Sequence, residues 1–148
     1  MWCGSVAQND IRGCGIAGGW ATHCIEHELS GMFDVSHGAG LAAVWGSWAR
    51  YTRQENLPRF VRFAHNVMGV DTADMGCIEA SEAGIKALEA FFQKIGMPTN
   101  IHSLIGRDVT DGEIETMADK CTNGDTITVG GLMQLRKADV MEIYRMAR

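Results

Sequence analysis

The chain has 148 residues, 46% hydrophobic and 21% charged, with a formal net charge of −5. That length suits one domain able to bury about two-thirds of its unfolded surface, and the mild negative charge argues against the basic face that nucleic-acid binding requires. No run of about 18 apolar residues suits a membrane span, and the opening MWCGSVAQND has neither the basic segment nor the apolar core of a signal peptide.

Residues 1 to 11 read as a helix ending at Gly13, amphipathic from Trp2 onward and without a capping residue, as if its first turns rested on a missing upstream segment. The glycine-rich stretch 13–19 leads to a second helix carrying His23 and His27, with Ser30-Gly31 as its expected stop. Asp34 and Ser36 then begin a third helix, His37 to about Arg53, whose apolar stripe is Leu41, Val44, Trp45 and Trp48. Pro58 opens a helix with Phe60, Phe63, Ala64 and Val67 on one side, closed by Gly69. From about Glu79 to Ile95 the apolar set is Ala80, Ile85, Leu88, Phe91, Phe92 and Ile95, ended by Gly96 and Pro98.

Ile101 to Ile105 reads as a connector, and Thr110 to Glu113 fits the S/T-x-x-E capping box of a helix through Cys121. Asn123-Gly124-Asp125 is a turn and Thr126 to Val129 a short extended piece. The last helix, Lys137 to Ala147, is expected to bury Val140, Met141, Ile143 and Tyr144. No period-2 alternation is long enough for a sheet. The fold class predicted is an all-α bundle of about six to seven helices, a single domain over 1–148. Cys3, Cys14, Cys24, Cys77 and Cys121 are odd in number, dispersed and without a C-x-x-C pair. They predict reduced thiols and a cytoplasmic protein rather than a disulfide framework.

Three of the five histidines fall between Trp20 and Gly40. His23 and His27, four apart, share one helix face, and His37 follows across a predicted corner. Three imidazoles converging there form a candidate metal site, set against the reading in which each is an ordinary buried or surface histidine. Imidazole suits Zn, Fe, Ni and Cu alike. Structural zinc wants four ligands, usually with cysteine, so an open catalytic site is the better inference.

His23 to His27 also spells H-x-x-E-H, the inverted zinc-protease motif, with Glu26 as general base and Glu79 or Glu82 as an acidic third ligand. That reading also needs a sheet edge to hold a peptide. His65 and His102 are expected to be surface or internally satisfied histidines, Cys24 a packing residue, and the tryptophans core or interface residues. Asp34 is expected to be a cap, or a partner of an imidazole.

The string WATHCIEHELSGMFDVSHGAGLA closely resembles the iron-containing (group III) alcohol dehydrogenases, in particular their butanol dehydrogenase branch. That family carries H-x-x-x-H-x(9)-H-G, which here reads His23, His27 and His37-Gly38. The likeness continues through RFVRFAHNVMGV, ALEAFFQKIGMPT, ADKCTNG and DVMEIYRMAR. It implies a dehydroquinate synthase-like two-domain fold, of which this chain is the C-terminal helical, metal-binding and catalytic domain. The N-terminal nucleotide-binding domain is then absent from residues 1–148.

The resemblance further implies a divalent metal, Fe2+ or Zn2+, bound by His23 and His37 together with an upstream Asp and His. His27 is implied to lie near nicotinamide and substrate as the proton-transfer residue. NADH or NADPH would act only in a full-length enzyme interconverting primary alcohols and aldehydes, the metal polarising the substrate oxygen. Gly13-Cys-Gly-Ile-Ala-Gly18-Gly19 sits between helices and lacks the strand–turn–helix context of a phosphate loop.

The chain alone is therefore expected to be inactive. An uncovered apolar face would invite the missing domain or a second copy, with no nucleic acid or membrane as partner. A helical metal-binding or assembly module without chemistry is the competing reading. Gly46 stands where the family usually has proline, and Arg136 replaces a usual capping residue, an expected loss of about 1 kcal/mol.

Overall fold

The computed structural model describes residues 2–9 and 19–148. Among them are eight α-helices: α1 (Trp2–Gln8), α2 (Ala21–Phe33), α3 (His37–Thr52), α4 (Leu57–Asn66), α5 (Cys77–Lys94), α6 (Ile101–Ile105), α7 (Asp111–Cys121) and α8 (Lys137–Ala147). A 3-10 turn, Arg53–Asn56, joins α3 to α4. Among the described residues the β pairing is one isolated antiparallel bridge, Val129 to Leu135. The all-α expectation holds. The predicted end of the first helix at Gly13 and the glycine-rich stretch 13–18 lie outside the described residues.

Local chemistry explains several of the helix starts. Asn56 accepts the Arg59 N–H through its side chain at 3.3 Å, and Pro58 sits in the first turn of α4, where its missing N–H costs nothing. At α7 the capping box is complete, because Thr110 Oγ1 accepts the Glu113 N–H at 3.2 Å and Glu113 Oε2 accepts the Thr110 N–H at 2.8 Å.

Four expectations are corrected. Helix α2 does not stop at Ser30-Gly31. It continues to Phe33, since Met32 and Phe33 pack against the core, and ends where Asp34 turns left-handed at φ 52° with its N–H on the Ser30 carbonyl. The connector Ile101–Ile105 is a helical turn, because Asn100 Oδ1 accepts the Ser103 N–H at 2.7 Å and Ile101 is fully buried. The start of α8 keeps a cap, in that Asp139 accepts the Arg136 N–H at 2.8 Å. Lastly, Phe91 and Ile95 on α5 and Val67 after α4 are exposed rather than buried, at 49%, 52% and 68%. Their spacing is helical, but among the described residues no other helix covers that side.

Helix α3 touches α2, α5, α6 and α8, and the core lies on both sides of it. The larger cluster joins Ile25 and Leu29 of α2, Val44 of α3, Ile101, Val109, Ile114, Met117, Val140, Ile143 and Tyr144. The smaller joins Ala49, Phe60 and Ile85, with Trp45 and Leu132 against it, and Trp48 packs against both clusters. Helices α4 and α5 approach so closely that a β-carbon on Gly84 would meet Ala64 Cα at 2.8 Å. Gly46 is likewise a fitted position rather than a loosened one, since its missing side chain leaves room for the Glu89 carboxylate. Cys24, Cys77 and Cys121 are free thiols, and burial pushes the Cys121 thiol up to about 12, where it is inert. Among the described residues no helix is long and apolar enough to cross a membrane.

Candidate metal centre

Ala21, Ile25 and Leu29 recur every four residues and bury one side of α2. His23 and His27 are two positions out of step with them, roughly 200° around the helix, so anchoring the apolar stripe turns both imidazoles outward. His37, in the first turn of α3, is brought against them by the left-handed corner at Asp34. Ser30 holds that corner by donating its hydroxyl to Glu26 and to the Val35 carbonyl, the latter at 3.2 Å.

The three rings converge as the spacing predicted. Ring centroids lie 5.1 Å apart for His23 and His37, 5.3 Å for His27 and His37, and 6.3 Å for His23 and His27. One nitrogen from each ring falls within 4.8 Å of the others. They line an open cleft of about 510 Å³ together with Trp20, Cys24 and Leu41, and Trp20 meets His23 edge-on at 4.9 Å. Burial, then the neighbouring His37 and His27, depress His23 below the ordinary imidazole range, against an opposing pull from Glu26. Neutral imidazoles are the form that binds a metal. Three imidazole nitrogens within 4.8 Å of one another, open on one side, fit a divalent transition ion with further ligands still to be supplied.

Glu26 was expected as a general base in the protease reading, and the structure corrects this. Its side chain is fully buried, with one carboxylate oxygen taking the Ser30 hydroxyl and the other bonded to His37 Nδ1, so it does not face the cleft. Glu82 is bound by Arg50 at 3.0 Å and Arg53 at 2.6 Å, and Glu79 lies near it on α5, neither lining the histidine cleft. With no sheet edge among the described residues either, nothing supports that chemistry.

The imidazole partner is thus Glu26 and not Asp34, which is exposed at the corner. The signal for it in the sequence was the i, i+4 pair Glu26 and Ser30 together with Gly40, whose absent side chain leaves the space Glu26 fills. His65 is exposed, and His102 pairs with Asp108 at 2.7 Å on the surface, both apart from the cleft as expected.

Comparison with known proteins identifies the family of the chain. Residues 12–148 match the Fe-containing alcohol dehydrogenase family, C-terminal. The chain is 36% identical over 146 residues to the probable NADH-dependent butanol dehydrogenase 1 of Bacillus subtilis, covering 98% of this chain and 36% of that protein. It is 32% identical over 147 residues to the NADH-dependent butanol dehydrogenase A of Clostridium acetobutylicum, again covering 98% and 36%. Among solved structures it is similar to NADH-dependent butanol dehydrogenase A of Thermotoga maritima, with a TM-score of 0.84 at 30% identity over 99% of this chain and 37% of that one. It is also similar to YqhD of E. coli K-12, with a TM-score of 0.87 at 27% identity over 100% and 37%. The chain therefore spans little more than a third of the length of these relatives. What it matches throughout is one region of them, and the chain belongs to the Fe-containing alcohol dehydrogenase family as its C-terminal, all-helical domain.

Proposed function

We propose that this domain is the metal-binding, substrate-side half of an NAD(P)-dependent enzyme interconverting primary alcohols and aldehydes of the butanol class. The observation that carries the reading is the convergence of His23, His27 and His37 in one open cleft, their nitrogens within 4.8 Å of one another. His23 and His37 are the metal ligands in this reading, fourteen residues apart on two helices, and His27 beside them exchanges the proton of the alcohol. Two imidazoles do not complete a coordination sphere, and the family resemblance implies that an upstream Asp and His, carried with the nucleotide-binding domain, supply the remaining ligands. When bound, an iron or zinc ion supplies Lewis-acid polarisation of the substrate oxygen, and a nicotinamide cofactor supplies the hydride chemistry.

The chain's own contribution is to hold the imidazoles. The depressed His23 keeps a lone pair available near neutrality. Trp20 and Leu41 line the cleft with apolar surface beside the rings.

Titration of the purified 148-residue chain with Co2+, read by visible absorption, tests this. His23→Ala and His37→Ala are each expected to weaken binding by at least about tenfold, and His27→Ala to leave it within about threefold. Equal losses in all three would replace the assignment with a three-histidine ligand set. NAD(P)-linked butanol oxidation by this chain alone would contradict the need for a further domain.

A further inference from the structure

Of the three imidazoles, His37 has its ring fixed from behind by a buried acceptor, while no hydrogen bond from another residue reaches the His23 or His27 ring among those described. The residue behind it is Glu26, with 0% of its surface exposed. Burying a carboxyl group costs several kcal/mol unless each oxygen is satisfied, and a leucine would fill the same core space without that cost. Here both oxygens are satisfied, one by the Ser30 hydroxyl and the other by His37 Nδ1.

The backbone is shaped for it as well. Gly40 lies one turn after His37 on the same face of α3, and a β-carbon there would fall on Glu26 Oε1, with Cγ at 2.7 Å and Cδ at 3.0 Å. A helix-interior glycine costs about 0.5–1 kcal/mol relative to alanine. The chain thus carries a buried acid, its hydroxyl donor and a glycine together, with one shared result.

We infer that Glu26 is a positioning residue: its carboxylate, oriented by Ser30 and given room by Gly40, accepts the Nδ1–H of His37 and so directs the Nε2 lone pair into the cleft. A carboxylate is an acceptor only, so the hydrogen resides on Nδ1 and the tautomer is set. A buried partner of this kind also fixes ring rotation and raises the basicity of the nitrogen facing the metal. The inference rests on the reading of His37 as a ligand and extends it to the residue that prepares that ligand.

The test uses the 148-residue chain and two readouts. Long-range 1H–15N NMR of the metal-free chain reports the His37 tautomer, and Co2+ titration reports affinity. Glu26→Met keeps length and packing while deleting the acceptor. It is expected to mix the His37 tautomers toward Nε2–H and to weaken Co2+ binding by roughly 10–100-fold. Glu26→Gln keeps an amide oxygen as acceptor and is expected to restore the Nδ1–H tautomer, with affinity within about threefold of the natural chain.

A folded Glu26→Met protein with the natural tautomer and affinity overturns the inference. Should that variant not fold, Ser30→Ala carries the test: about three- to tenfold weaker binding is expected, and no change overturns the inference. His37→Ala separates the two levels. If it leaves Co2+ affinity intact, the ligand reading fails while the tautomer measurement still decides the role of Glu26. If it abolishes binding and the Glu26 and Ser30 variants do not differ from the natural chain, only this inference fails.

Discussion

The hydroxyl of Tyr144, fully buried on α8, donates to the main-chain carbonyl of Ile25 on α2 at 2.6 Å, across 119 residues of sequence. The bond ties the last helix to the turn of α2 that lies between His23 and His27, and burial pushes the Tyr144 hydroxyl well above its ordinary range. Tyr144→Phe removes this one donor while keeping the ring in place. Urea denaturation should show a loss of about 1 kcal/mol with an unchanged slope. A loss of only a few tenths would mean that the ring, not the bond, holds the two helices together.

Gly84 and Gly46 are expected to respond differently to alanine. An alanine at Gly84 gains up to about 1 kcal/mol in helix propensity, but its β-carbon meets the α4 backbone at Ala64, which cannot move without parting two packed helices. The clash wins, and Gly84→Ala should lose about 1–3 kcal/mol in thermal or chemical denaturation. At Gly46 the obstacle is the far end of the Glu89 side chain, which can swing aside at the expense of its ion pair. Gly46→Ala should therefore cost less than Gly84→Ala, and the reverse order would refute the packing argument.

Arg50 spans two acids on α5. It donates to both oxygens of Glu89 at 2.6 and 2.7 Å, and through Nε to Glu82 at 3.0 Å. Hydrogen bonding to Glu89 first raises its already high pKa further. Lysine keeps the charge but loses the planar fork, so Arg50→Lys should lose about 1–2 kcal/mol. The partners are 18–26% exposed, which limits the gain through solvent screening. Denaturation in low and high salt checks this, because the deficit should narrow as salt rises.

Glu113 gives the α7 cap a pH dependence. Hydrogen bonding to Arg107, and then the Thr110 backbone N–H, hold its carboxyl at about 2 in place of 4.5. The folded state thus binds the proton less readily than the unfolded chain. The stability contributed is complete above 4.5 and is lost as pH falls toward 2. Glu113→Gln should flatten that part of the stability–pH curve, so the natural chain and the variant converge in melting temperature in acid. Parallel curves across this window would show that the cap carries no charge-dependent stability.

What the sequence determined by itself was local. Pro58, Thr110 and Glu113 mark helix starts because capping and first-turn preferences act among residues three or four apart, and the His23, His27 and His37 spacing already carried both the converging imidazoles and the family resemblance. Periodicity told which side of a helix is apolar but not whether anything covers it. Val140, Ile143 and Tyr144 are buried where helices meet, while Phe91 and Ile95, equally well spaced, stand exposed.

The surroundings of Glu26 are decided only in three dimensions. Within H-x-x-E-H it reads as a general base between two histidines, and what buries it is the approach of α3, permitted by Gly40 and sealed by His37 and Ser30. Ile25 and Tyr144 make the same point at longer range. Such pairs are brought together by helix packing, and packing depends on side-chain volumes summed over the whole core, which no short window of sequence contains.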